Sequence, residues 1–140
     1  MIRKIAYLIT LGLIFSGINS FASDSEKEIA ALSAAEKWLI MVDSEKYIES
    51  WKETSELFRN AVQPEQWTQS MQAVRQPLGK LISRKVKTKV YKTTLPGTPD
   101  GEYFVIQFET SFENKKTAME TITPMIDKSG VWRVSGYYIK

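Results

Sequence analysis

The chain has 140 residues, no cysteine, no histidine, 43% hydrophobic and 25% charged residues, and 19 Lys and Arg against 16 Asp and Glu. This composition suits one compact domain. It excludes disulfides, a thiol nucleophile and cysteine-ligated zinc or iron–sulfur centres, and it removes the commonest general base and metal ligand, so any catalysis would fall to Asp, Glu, Lys, Tyr, Ser, Thr or Arg.

At the amino terminus Arg3 and Lys4 precede an apolar run from Ile5 to Phe15 and a polar stretch ending Ser20-Phe21-Ala22. That is the pattern of a secretory signal peptide over residues 1–22, cut after Ala22, with a single domain over residues 23–140. The apolar run is well short of the roughly 20 residues that span a bilayer. The reading expects export to the periplasm or the medium with no stable membrane anchor, and no cysteine stands at the cut to carry a lipid. Without Arg3 and Lys4 there remain 17 bases and 16 acids, which gives no reason to expect nucleic acid as a partner. Charge is uneven all the same: Asp24 to Gln66 holds ten acids and five bases, Trp67 to Lys140 six acids and twelve bases.

In chain order, Ile29, Leu32, Ala35, Leu39 and Val42 recur at spacings of three and four, the inner stripe of a helix from about Glu26 to Val42 that Trp38 broadens. Asp43-Ser44 is expected to end it and to cap a second helix with Tyr47, Ile48, Trp51, Ser55 and Phe58 inside and Glu45, Glu49, Glu53 and Glu56 outside. A third helix is expected from Pro64, with Trp67, Met71, Val74 and Leu78 as its apolar stripe and Gly79 as its stop. The period then changes to two, and four strands are expected. In the first, Leu81 to Leu95, Val86, Thr88 and Val90 oppose Lys85, Lys87, Lys89 and Tyr91. In the second, Phe104, Ile106, Phe108 and Phe112 form the core wall against Tyr103, Gln107, Glu109 and Ser111. The third runs from Thr117 to Ile126 and the fourth from Val131 to Ile139, with Gly136 marking a bulge or bend. The fold class is therefore α+β, with N-terminal helices packed on a four-stranded antiparallel sheet.

The string Ala35-Glu36-Lys37-Trp38-Leu39, then Val42-Asp43, Tyr47, Trp51, Phe58, Trp67, Arg75-x-Pro77-Leu78-Gly79, Leu95-Pro96-Gly97, Asp100-Gly101-Glu102-Tyr103 and Trp132-Arg133-Val134-Ser135-Gly136-Tyr137 resembles the secreted bacterial family catalogued as domain of unknown function 4019. The resemblance covers nearly the whole mature chain and implies no activity, substrate or catalytic residue. The helix order and the closing Trp-x-Val are also similar to nuclear-transport-factor-2-like, or cystatin-like, cone folds. That likeness implies a strongly curved sheet around a cavity, in a fold that hosts ligand binders, isomerase-like enzymes and association modules.

Aromatic walls with a few polar groups are typical of small-molecule sites, and they are equally typical of cores. Trp38, Tyr47, Trp51, Phe58, Trp67, Arg75 and Phe108 are the candidate lining of a pocket for a small apolar or amphipathic ligand. The basic run Lys80, Arg84, Lys85, Lys87, Lys89 and Lys92 reads first as a solvated or edge-protecting face, with contact to an anionic component or acidic partner as the alternative. No nucleophile, phosphate or metal motif is present, and no catalytic residue, metal or cofactor is assigned. The function expected is an exported, non-catalytic protein that binds a small ligand or an envelope protein. A cone-fold enzyme using a buried carboxylate and a tyrosine, with Glu109, Tyr103, Tyr47 and Arg75 nearest to inner surfaces, is one alternative. A homodimer joined through an outer sheet face carrying Tyr103 and Tyr137 is the other.

Overall fold

The computed structural model describes residues 23–140, so the expected signal segment, 1–22, lies outside the described residues. Four helices, α1 (Asp24–Asp43), α2 (Tyr47–Lys52), α3 (Glu56–Ala61) and α4 (Pro64–Arg75), precede a single 3₁₀ turn (Gln76–Leu78). The strands β1 (Leu81–Lys92), β2 (Tyr103–Phe112), β3 (Lys115–Ile126) and β4 (Trp132–Ile139) follow and form an open antiparallel meander in the order β1-β2-β3-β4. The arrangement is α+β, with the helices against one sheet face. Among the described residues no helix is long and apolar enough to cross a membrane.

Helix α1 starts at a capping box: Ser23 accepts from the Glu26 amide, and the Glu26 carboxylate accepts from the Ser23 amide. Its buried stripe is Ala31, Ala35, Trp38, Leu39 and Val42. Ile29, expected inside, is 68% exposed. Each three-residue step turns back by roughly 60° around a helix of 3.6 residues per turn, so a stripe traced backwards from Ala35 through Leu32 has left the buried face at Ile29.

The expected second helix is two short ones. Thr54 bonds back to the Trp51 carbonyl, the Ser55 amide donates to the Val134 carbonyl on β4, and the Ser55 hydroxyl caps α3 at Phe58. Ser55 therefore stands at a break, not on a helix face, and Ile48 and Val74, expected inside, are exposed. Asp43-Ser44 does not cap α2, whose N-cap is Lys46 with no side-chain bond; the Asp43 carboxylate is taken by two arginines. Helix α4 does begin at Pro64 and buries Trp67 and Met71, and Gly79 stops the 3₁₀ turn at φ 74°.

Among the described residues the sheet has four register shifts: at Leu81–Ser83 and Val86–Thr88 in β1, in β3 opposite Thr110–Phe112, where Lys116 and Thr117 face Ser111, and at the Ile122 and Pro124 pairings. In β1 the register with β2 shifts between Val86 and Thr88, leaving Lys87 as the extra residue. Val86 pairs with Phe108, but beyond the bulge it is Lys89 and Tyr91 that pair with the inward Ile106 and Phe104, while Thr88 and Val90 turn outward. The expected faces hold up to Val86 and are exchanged after it, and β1 ends at Lys92 rather than Leu95. In β4 the shift lies between the Ile122 and Pro124 pairings, at Ser135-Gly136 as expected. Its consequence is that Tyr137 pairs with the inward Ile122 while Tyr138 faces out.

The expected dimer face is corrected accordingly: Tyr137 points inward, and Tyr103 is buried, its hydroxyl donating 2.6 Å to the Pro99 carbonyl. The core wall of Phe104, Ile106 and Phe108 is as the alternation predicts, joined by Ile122, Trp132 and Val134. Each such side chain is stabilised by about 2 kcal/mol on burial.

Candidate functional site

The seven expected pocket residues divide into two groups. Trp38, Tyr47, Trp67 and Phe108 belong to the buried core, and Trp51 and Phe58 pack against it. Trp38 and Trp67 lie 5.7 Å apart between ring centroids, Phe58 stands edge-on to Trp67 at 5.3 Å, and Tyr137 edge-on to Trp38 at 5.2 Å. Buried Ser50 ties them together: its carbonyl accepts from the Trp38 indole at 2.8 Å, its hydroxyl accepts from the Trp67 indole at 3.0 Å, and that hydroxyl donates to the Tyr47 carbonyl. The Trp51 indole donates to the Val62 carbonyl. The three indole N–H groups are thus spent on the Ser50 and Val62 carbonyls and the Ser50 hydroxyl.

Arg75 belongs elsewhere. It is 6% exposed, its guanidinium lies 4.8 Å over the Phe112 ring, and one Nη donates 2.7 Å to Asp43. Its Nε and other Nη have no partner among the described residues. Asp43 is shared with Arg84, which donates to both of its oxygens at 2.7 and 2.9 Å and to both oxygens of Glu120 at 2.6 and 3.2 Å. Glu120 is 0% exposed on the inner face of β3, and it also accepts from Thr110 at 2.5 Å and from the Tyr137 hydroxyl.

This network joins the end of α1, α4 and strands β1 to β4 across the helix–sheet interface. Burial would raise the Asp43 carboxyl, but the bonds from Arg84 and Arg75 outweigh it and hold the group below the usual carboxylate range. Burial, reinforced by Glu120, pushes the Tyr137 phenol well above its ordinary value.

Chemically, Glu120 and Tyr137 are the buried carboxylate and tyrosine that an isomerase-like site would require. A carboxylate offers about four acceptor positions, and Arg84 twice, Thr110 and Tyr137 occupy four. None is left to take a proton from a substrate. Glu109, the carboxylate named for the enzyme alternative, lies on the face opposite the phenylalanine wall, where the alternation puts it, and is exposed. Among the described residues no cluster of three or more acids could hold a metal ion.

The uncovered sheet face is different in character. Ser83, Lys85, Lys87, Glu109, Ser111, Lys116, Thr117, Met119 and Lys140 border a cleft of about 510 Å³. Lys85 and Lys87 share one carboxylate, Glu109, at 3.2 and 3.9 Å. Four lysines thus stand around one acid. Two of them come from β1, one from β3 and one from the residue after β4, whose backbone pairs with Met119. With strands about 4.8 Å apart, the β1 and β3 lysines face each other across roughly 10 Å of hydroxyl and thioether floor.

A second groove of about 480 Å³ lies between α1 and β4. Ala30, Ala34, Trp38, Met41, Val131 and Trp132 line it, with Lys37, Glu53 and Arg133 also bordering it, and Arg133 is held by Asp127 at 2.9 Å and by Glu53 at 3.4 Å.

Neither the buried network nor Glu120 stands out in the sequence. The signal available was parity: in β3, Glu120 shares a face with Ala118 and Ile122, and in β1, Arg84 shares one with Val86. A charged residue at an inward strand position needs an opposite charge, and these two supply it to each other.

An open four-stranded antiparallel sheet with helices on one face defines the class of fold. The family model described as Protein of unknown function (DUF4019) matches residues 34–137, and the chain belongs to that family. No curated protein matches the chain.

Proposed function

We propose that the protein is a non-catalytic binding module, acting after export, that takes an anionic partner on the uncovered face of its sheet. The observation that carries this reading is the ring of Lys85, Lys87, Lys116 and Lys140 around a cleft that holds the single acid Glu109. Lysine on an edge strand is a common guard against unwanted pairing. Lys116 is on β3, an interior strand, so edge protection leaves it unexplained. Saturation of Glu120 weighs against the enzyme alternative, and the packing of the tryptophans on one another weighs against an occupied interior.

The test is calorimetric titration with dextran sulfate at low and at physiological salt, using the protein and a Lys85→Ala/Lys116→Ala variant. Binding that weakens with salt and falls about tenfold or more in the variant supports the reading. Absence of binding at low salt, or equal binding by both proteins, defeats it.

The α1–β4 groove favours a second reading, an amphipathic ligand with its chain over Trp132 and Met41 and an acidic head near Lys37. Titration with a medium-chain fatty acid, read by tryptophan fluorescence, tests it: a saturable change lost in Met41→Glu is expected, and an unchanged spectrum rejects it.

A further inference from the structure

Strand β1 is an edge of the sheet over its whole length of 12 residues, and almost all of its side chains are exposed or half-buried. Its inner edge is spent on β2. The backbone bonds at its two ends, Glu113 to Lys80 and Gly101 to Thr93, involve neighbours of the strand, and its outer row of amides and carbonyls has no backbone partner among the described residues. Such a row is a template for another strand.

We infer that the anionic partner is an extended acidic segment of polypeptide, which adds to β1 as a fifth strand and lays its carboxylates toward the lysine cleft. The inference rests on the reading of the cleft as an anion site and adds to it the partner's chemistry and geometry. Charge selects the occupant. If β1 paired with β1 of a second molecule, two strands each carrying Lys85, Lys87 and Lys92 would lie side by side, and like charges brought close across a strand pair destabilise it; Lys89 is already paired with Glu28 at 2.8 Å. An acidic strand meets the opposite situation.

Spacing agrees with charge. Side chains on one face of a strand repeat at alternate residues, so alternate acids on the added strand would line the face that carries Lys85 and look toward the cleft. Val90, outward and exposed, gives the same face an apolar position beyond the lysines. A lipid headgroup or an anionic polysaccharide would satisfy the lysines but has no use for a row of peptide groups. The bulge at Lys87 interrupts that row, so the added strand pairs in two short runs on either side of it.

The experiment uses the chain from residue 23 onward and a capped peptide of alternating Glu and Val, seven residues long. It is compared with two forms N-methylated at alternate amides, one set in each, and with dextran sulfate. In an antiparallel ladder only alternate amides of the added strand face its neighbour. The expected result is that one methylated form binds as the parent does while the other loses tenfold or more, and that amide hydrogen exchange slows in β1 when the parent peptide is present.

Three results overturn the inference. If both methylated forms bind as the parent, or if dextran sulfate binds and the peptide does not, strand addition is wrong and the anion cleft stands. If neither the peptide nor dextran sulfate binds, the cleft reading fails as well.

Discussion

Replacing Arg84 by methionine keeps most of the side chain's length and removes its charge. The structure says what is lost: two hydrogen bonds to Asp43, at 2.7 and 2.9 Å, and two to Glu120, at 2.6 and 3.2 Å. Asp43 retains Arg75. Glu120, fully buried, retains only the hydroxyls of Thr110 and Tyr137. Removing one partner of a buried ion pair costs about 3–5 kcal/mol, because a buried charge is left uncompensated. A domain of this size has roughly 5–15 kcal/mol in all. At about 4 °C per kcal/mol for a chain of intermediate length, the expected fall in Tm is about 12–20 °C.

Urea unfolding at pH 7, followed by tryptophan fluorescence, measures the change. A further arm identifies its cause. Arg84→Met combined with Glu120→Gln removes the orphaned charge but keeps an acceptor for Thr110 and Tyr137, and it should recover about 2 kcal/mol. A single variant within about 1 kcal/mol of the parent, or a double variant no better than the single, would refute the reasoning.

Ser50→Ala removes the acceptor of the Trp67 indole in a buried site and should cost about 1–3 kcal/mol in urea unfolding; a change below about 0.5 kcal/mol contradicts the role given to Ser50. Gly79 has φ 74° and ψ −160°, and a Cβ there would stand 3.0 Å from the Glu113 Cβ, so Gly79→Ala should cost about 1–3 kcal/mol or more, measured by thermal melting. Glu45 occupies φ 61°; Glu45→Gly relieves that strain and should be neutral or stabilising by up to about 1 kcal/mol, and a lowered Tm would show the strain argument to be mistaken. Asp43 is held below its ordinary range by the arginines, and Asp127 to about 2, first by the Ser129 hydroxyl and further by the Val131 amide and Arg133. Groups with depressed native values contribute stability that is present above about pH 4 and lost as pH falls toward 2. Tyr137, raised in the native state, contributes stability that is present below about pH 10 and lost above it; a flat urea midpoint across both windows would contradict these assignments.

What the sequence makes legible is whatever one element decides alone. Phe104, Ile106 and Phe108 alternate within a single strand, and their wall is where the alternation puts it. Pro64 and Gly79 mark ends through their own backbones. Gly136 announces a bulge, but nothing local says that the bulge brings Tyr137 in rather than Tyr138. Lys87 carries no mark of a bulge at all, so the faces of Lys89 and Tyr91 are exchanged without warning. The break at Ser55 depends on a bond to Val134, far along the chain.

The same distinction applies to the sites. The tryptophans are recognisable as aromatic positions, yet whether they line a pocket or fill a core depends on the neighbours each ring meets. The network of Asp43, Arg84 and Glu120 and the cleft of Lys85, Lys116 and Lys140 are both products of strand register, which brings together residues distant in sequence.

The most direct measurement on the central claim is an NMR titration of the isotopically labelled chain with dextran sulfate, read residue by residue. The account predicts amide shifts at Lys85, Lys87, Glu109, Met119 and Lys140 that saturate and are suppressed by salt. Shifts confined to the α1–β4 groove or the helical layer, or none at all, would contradict it.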